Sequence, residues 1–498
     1  MMPGRAAVAL FAGLGLVATA ACSGDDDTSE PVPSSTIVDV PDDAATDDAA
    51  TDDDAAADDG DGAEMAPDTT ETAPTLPEGY EFDGALVSTW APDAAAGIER
   101  GDDNTMPLIV QESLQPVVDD HWIWDSWPLR STDGDVAEFE GWTIVFGLSA
   151  EIVDDRVPGD RHGLASWRML GSQTGLGDDA QWVDLGPVWA AGDAVGARQW
   201  AGSAVLDPAT DRVTLYYTAL GDLPAGDELT GGPASDPYED VNWTGGSNLS
   251  TSSGPDRQEM VAVSAELTSD ADGRPTLADM GEHEIILTAD GAIYRTAEQA
   301  NDLDAPYVFR DPWWFRDDDS GREYLLFSAS PAFLTGDAAG GLVGLAMKDD
   351  SGTWVPLQPV LASPGVNNQL ERPHLVHDDG LTYLFVSTHG FSFLDGIDGP
   401  PGLYGFVSDG LGSDFRVLNG TGLVMANPAG EEQQAYSWVV LPSSEVLSFA
   451  NYFDLEAVGG LSGISGQSVE WQREHFAGTL APLVQLELDG ASTDVLGS

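Results

Sequence analysis

From about residue 81 onward, short apolar and aromatic runs recur between clusters of polar turn residues, a pattern of strands rather than of helices. Five runs resemble one another: Trp142–Phe146, Val213–Tyr217, Glu323–Phe327, Leu381–Phe385 and Glu445–Phe449. Each is rich in β-branched, aromatic or leucine side chains and is bounded by Gly, Asp, Pro or Ser, which favour turns. Long amphipathic helical patterns are scarce, and no βαβ alternation is evident. Five similar strands over roughly 310 residues predict five similar sheets. An all-β, five-bladed β-propeller accommodates them, each blade a small antiparallel sheet around a central funnel that holds the ligand site. A large β-sandwich is the alternative from pattern alone.

The first 80 residues follow a different pattern. Arg5 precedes an apolar run from Ala6 to Val17, and the small residues Ala18–Ala21 lead to Cys22. This predicts a lipoprotein-type signal over 1–21, cleaved before Cys22, with a lipid on its thiol. Residues 22–80 are mostly Asp, Ala, Thr, Pro and Glu, too apolar-poor to offset the entropy of ordering, and predict a disordered acidic linker. The nearest approach to a calcium loop, Asp59–Gly62, has Ala57 where the first carboxylate ligand would stand. Residues 81–498 are then the folded domain. The expected location is extracellular or at the cell surface, with the membrane touched only through the lipid anchor.

Charge narrows the partners. With 18 Lys and Arg against 86 Asp and Glu, the formal net charge is −68. Nucleic acid and anionic membranes require basic patches and are excluded as partners. A neutral substrate such as a sugar fits, and so does a high-salt setting that screens self-repulsion. Cys22 is the only cysteine, so neither an internal disulfide nor a cysteine metal cluster is expected. The seven His are scattered, and no G-x-S-x-G elbow, P-loop or H-E-x-x-H helix occurs.

The run His121–Leu129 places Asp125 among Trp122, Trp124 and Trp127. A carboxylate that attacks an anomeric carbon must be ionised and held rigid, while flat rings cover the sugar's C–H faces. A buried strand whose Trp residues fill a core, with the Asp at a turn, is the plainer explanation of the run alone. Two further motifs each precede a predicted strand: Arg310-Asp311-Pro312 and Gln369-Leu370-Glu371-Arg372-Pro373-His374. Retaining glycosidases use one acid as nucleophile and another as acid/base, about 5 to 5.5 Å apart. Considered alone, Asp311 and Glu371 could equally be strand-end partners of the neighbouring arginines.

Together, Trp124–Leu129, Gln199–Ala204, Arg310-Asp311-Pro312 and Glu371–His374 resemble the levansucrase and inulosucrase fructosyltransferases, glycoside hydrolase family 68. Arg161-His162, Gly402–Val407, Asn419–Val424, Tyr436-Ser437-Trp438 and Gly478–Pro482 support the likeness, in the family's order from about residue 85 to 485. The resemblance implies a five-bladed propeller acting on sucrose, with Asp125 as nucleophile, Asp311 as stabiliser and Glu371 as general acid/base. Trp124 and Trp200 would wall the fructosyl subsite, and Arg310, Arg372 and Gln369 would bind hydroxyls. Tyr436 would stand near the nucleophile and His389 on the acceptor side. Sucrose and fructan acceptors are the implied partners of a monomer, and no cofactor is implied.

Three departures bear on orientation and acceptor choice. Ala201 stands where many relatives have a serine hydroxyl that orients the nucleophile, and Ser328 replaces a common carboxylate. Asn368-Gln369 replaces Asp-Glu, and Asn368 marks a position where some Gram-positive relatives bind structural calcium, left unassigned here. A mainly hydrolytic β-fructofuranosidase, and a surface carbohydrate-binding propeller that has lost catalysis, remain alternatives.

Overall fold

The computed structural model describes residues 87–177, 179–221, 250–251, 254–255, 257–303, 305–317, 320–332 and 340–496. The signal, Cys22 and the acidic linker expected over 1–80 lie outside the described residues. Strands dominate, arranged in five antiparallel groups. Blade I comprises His121–Ser131, Trp142–Glu151, Ser166–Ser172 and Trp182–Pro187. Blade II comprises Arg198–Asp207, Arg212–Leu220 and Gln258–Ser269, with two short outer strands, Pro275–Ala278 and Glu284–Leu287. Blade III holds Phe309–Arg316, Glu323–Ala329, Leu342–Lys348 and Trp354–Ala362. Blade IV holds Glu371–Asp378, Leu381–Thr388 and Gly402–Ser408, edged by Arg416–Val417 and Leu423–Ala426. Blade V is built on Ala435–Val440 and Glu445–Tyr452, followed by Phe476–Leu480, Val484–Asp489 and Ser492–Leu496.

Each of the five runs read from the sequence is the second strand of one blade. The first strands pack side by side in the order I, II, III, IV, V and back to I, which closes a ring around a central axis. Between blades I and II the contact is a true ladder, with Leu129, Arg130 and Ser131 paired in parallel to Ala204, Val205 and Leu206. Elsewhere hydroxyls make the joints. Thr218 accepts from the amide of Asp311, Ser328 donates to the Leu370 carbonyl, and Ser387 accepts from the amide of Trp438. These three occupy equivalent registers, opposite Trp200, Arg310 and Glu371 respectively. Ser328 thus belongs to a repeated joint that ties a second strand to the next blade.

Aromatic side chains fill the space between sheets. Trp127, Trp167, Trp189 and Tyr217 pack in a chain through blades I and II, Trp127 edge to face on Trp167 with centroids 4.4 Å apart and the other pairs tilted. Such packing adds specific geometry to the burial of large apolar area. The N-terminal segment fastens blade III to blade IV: Ser88–Thr89 pairs with the edge of blade III, while the buried Trp90 packs on Tyr404 and Phe406 of blade IV. Near the C-terminus, Thr493 and Asn419 exchange two hydrogen bonds and join blades IV and V.

Candidate active site

All five first strands are interrupted at the same level. The register shifts between Trp124 and Trp127, Trp200 and Gly202, Arg310 and Trp313, Glu371 and His374, and Tyr436 and Val439. A bulge lets two consecutive residues, instead of every second one, face the same side. In four of the five, the second residue has positive φ: Asp125 at 45°, Asp311 at 63°, Arg372 at 54° and Ser437 at 59°. Non-glycine residues held there carry a conformational cost that the surrounding sheet must offset, a pattern concentrated at functional sites. In blade II the register shift ends at Gly202, whose α-carbon has no room for a side chain: an added Cβ would lie 1.8 Å from the Tyr216 carbonyl oxygen.

The five pairs Trp124-Asp125, Trp200-Ala201, Arg310-Asp311, Glu371-Arg372 and Tyr436-Ser437 all line one pocket of about 580 Å³, together with Gln369 and His389. Every site residue expected from the sequence within the described region therefore converges there. Asp125 comes from blade I, Asp311 from blade III and Glu371 from blade IV. Arginines link them. Arg310 donates from Nη2 to Glu371 Oε1 at 2.7 Å and to Gln369 Oε1 at 3.1 Å, and its Nε lies 3.8 Å from Asp311 Oδ2. Asp311 Oδ2 also accepts the amide of Arg372 at 3.1 Å. The Arg372 guanidinium donates to the Ser126 carbonyl and to Ser437 Oγ, both at 3.2 Å.

Ser437, unassigned from the sequence beyond its place in the Tyr436-Ser437-Trp438 stretch, lines the pocket with Asp125, and its hydroxyl favours the ionised form of that carboxyl. It supplies from blade V a hydroxyl of the kind expected, and missing, at Ala201. No sequence signal links positions so distant along the chain. Likewise Ser328 does not line the pocket, so its departure acts on the blade joint and not on a sugar. Arg161 and His162 do line it. They were noted in the sequence only as a supporting stretch.

Burial sets the electrostatics. It pushes the Asp125 carboxyl above its ordinary value, against the pull of Arg372 and Ser437, and pushes Asp311 up to about 6 despite Arg310 and Arg372. Burial acts on Glu371 in the same sense, but Arg310, His389 and the Tyr436 hydroxyl outweigh it and hold this carboxyl below the usual range. Arg310 is the decisive charge among these, because burial lowers His389 to about 4 and leaves it neutral at pH 7. Tyr436 donates its hydroxyl to Glu371 Oε2, and the His389 Nε2 lies 4.0 Å from that oxygen. The His389 ring stacks on Tyr436 at 3.7 Å and on Phe391 at 4.6 Å, nearly parallel to both.

Among the described residues no group of three His, Cys, Asp or Glu is placed to hold a metal ion. Asn368 brings an uncharged amide, and its backbone N–H donates to the Ser392 carbonyl. Nor, among the described residues, is any helix long and apolar enough to cross a membrane.

Comparison with known proteins agrees with this architecture. The Levansucrase/Invertase family profile matches residues 80–341 and 336–496. A levansucrase of Erwinia amylovora is 30% identical over 449 residues, covering 82% of this chain and 94% of that one. A levansucrase of Rahnella aquatilis is 32% identical over 399 residues, covering 72% and 86% respectively. Among solved structures, an inulosucrase from Halalkalicoccus jeotgali bound to kestose is 36% identical with a TM-score of 0.70, covering 83% of this chain and 96% of that chain. A levansucrase from Gluconacetobacter diazotrophicus, at 22% identity and a TM-score of 0.67, covers 84% and 91% and shares the fold. With its three carboxylates set on bulges of a five-bladed propeller, the chain belongs to the levansucrase/invertase family, glycoside hydrolase family 68.

Proposed function

We propose that the chain is a retaining fructosyltransferase that takes sucrose as donor, with Asp125 as nucleophile, Asp311 as stabiliser and Glu371 as acid/base. The observation that carries this reading is the convergence of those three carboxylates, each on the bulge of a different blade, on one pocket with Arg310 and Arg372. Asp125 attacks C2 of the fructosyl unit as the C2–O bond to glucose breaks, and Glu371 delivers its proton to the departing glucosyl oxygen. A covalent fructosyl ester on Asp125 results. Deprotonated Glu371 then takes the proton of an acceptor hydroxyl, whose oxygen attacks C2 and releases Asp125. Water as acceptor gives hydrolysis, and a growing fructan gives polymer. The chemistry uses side chains alone and calls for no cofactor.

The resting pocket holds its charges in the opposite sense, with Glu371 favoured as carboxylate and Asp125 pushed toward the neutral form. A bound sugar corrects this. Its hydroxyls compete for the Arg310 fork and the Tyr436 hydroxyl, which loosens their hold on the Glu371 charge, while Arg372 and Ser437 stay with Asp125. Trp124 and Trp200 wall the fructosyl ring, and the Tyr436–His389–Phe391 stack faces the acceptor. The lipid on Cys22, export to the cell surface and a monomeric state are proposed on the sequence alone.

Incubation with sucrose at low and high salt, measuring both free sugars, tests the reading. Glucose in excess of free fructose is expected. Equal amounts would make the protein a β-fructofuranosidase, and neither sugar at any salt would leave a carbohydrate-binding propeller. Asp125→Asn should lower kcat by at least about 1,000-fold with the fold intact, since the covalent step is lost.

A further inference from the structure

We propose that Arg161 is a positioning residue, which, in the turn Pro158–Gly163, fixes the indoles of Trp124 and Trp200 at the spacing that admits a fructosyl ring. This rests on the sucrose reading above. The turn closes on itself: the Val157 amide donates to Asp160 Oδ2 at 3.1 Å, and Arg161 Nη1 donates to the Pro158 carbonyl at 2.9 Å. From there the Arg161 guanidinium stands 5.6 Å from the Trp124 ring on one side and 4.6 Å from Phe476 of blade V on the other. Its charge also favours the ionised form of the Tyr452 hydroxyl of blade V, against the effect of burial. The next residue serves both indoles. The His162 ring meets Trp124 edge-on at 6.0 Å, and its carbonyl accepts Trp200 Nε1 at 3.1 Å. Trp200 is held at its other end too, because its backbone carbonyl accepts Trp167 Nε1 at 2.9 Å.

A single short turn therefore anchors the two flat walls that come from different blades. A misplacement of about 1 Å at such walls can cost about 100-fold in rate. A planar guanidinium suits the task, since it packs against rings while an N–H donor reaches the Pro158 carbonyl; a lysine ammonium lacks the plane. Arg161 lies in the pocket wall, and its charge also favours the ionised form of Asp125, alongside Arg372 and Ser437 and against Glu371. The competing role is a mere staple between blades I and V. That role predicts a loss of stability without a specific loss of sugar binding.

Calorimetric binding of sucrose in the Asp125→Asn background separates these, because no turnover intrudes. Adding Arg161→Gln should weaken the sucrose Kd at least tenfold, with the thermal midpoint of the unliganded protein within a few degrees, and Arg161→Lys should restore only part of the affinity. Should Arg161→Gln fail to fold, Arg161→Met keeps the length and apolar stem and carries the same expectation. A Kd within twofold of the background, or a lowered midpoint with unchanged affinity in the cold, would overturn the proposal and leave the staple. If Asp125→Asn itself binds no sucrose, the donor assignment falls, and this inference with it.

Discussion

At the residue scale, Ser437 and the protonation of the pocket carry the sharpest expectations. Hydrogen bonds to charged groups contribute about 1.5 to 3 kcal/mol, and about 1.4 kcal/mol is tenfold in rate. Ser437→Ala should lower kcat/KM roughly tenfold or more. It should also move the acid limb of the pH–rate profile to higher pH, since the hydroxyl favours the ionised Asp125. An unchanged limb would show that Asp125 does not depend on this hydroxyl. In the parent protein, the attacking and stabilising carboxylates must both be ionised. Glu371 must at the same time hold a proton although it sits lower than either, so the reactive pocket carries one shared proton, and kcat/KM should fall as pH rises above about 6, where that proton is lost. The limb belongs to the coupled carboxylates together rather than to one of them. A profile flat from pH 6 to 8 would contradict the buried, unscreened site described here.

At the scale of the strand, the bulge is the device that makes the site. Without it, Asp125 and Trp124 would point to opposite faces, as would each of the other four pairs. Gly202 is where the bulge leaves least room, with the Tyr216 carbonyl in the place a Cβ would take. Gly202→Ala should force apart the first two strands of blade II, cost about 2 kcal/mol or more, and displace Trp200, raising KM for sucrose. Thermal unfolding together with steady-state kinetics checks both parts. If stability holds and KM does not change, the bulge in blade II is tolerant and Trp200 is placed by other contacts. The motifs were legible in the sequence as runs, because each is contiguous. Their shared bulges were not, since a bulge is defined by the partner strand and a strand-type run does not display it.

At the scale of the whole molecule, a net charge of −68 sets the conditions for folding while leaving substrate choice alone. Like charges on the surface repel over a Debye length of about 10 Å at 0.1 M salt and about 3 Å at 1 M. The thermal midpoint should therefore rise by several degrees between 0.1 M and 1 M potassium chloride. KM for a neutral sugar should stay within about twofold over the range where the protein is folded, since its binding involves no net charge. A midpoint independent of salt would mean that self-repulsion is already offset within the fold.

By itself, the sequence determined the strand-type runs, their fivefold recurrence, the three acids and the family likeness, all of which are written locally. It also marked Ala201, Ser328 and Gln369 as departures, without showing what they touch. The tertiary structure decided that Ser437 serves Asp125, that Ser328 joins two blades, that Gln369 steadies Arg310, and that Arg161 stands against Trp124. The physical reason is separation along the chain. Arg372 reaches the Ser126 carbonyl across 246 residues, and Tyr436 reaches Glu371 across 65. Periodicity and motifs report on neighbours in sequence, whereas ring closure of the propeller alone brings five distant bulges to one axis.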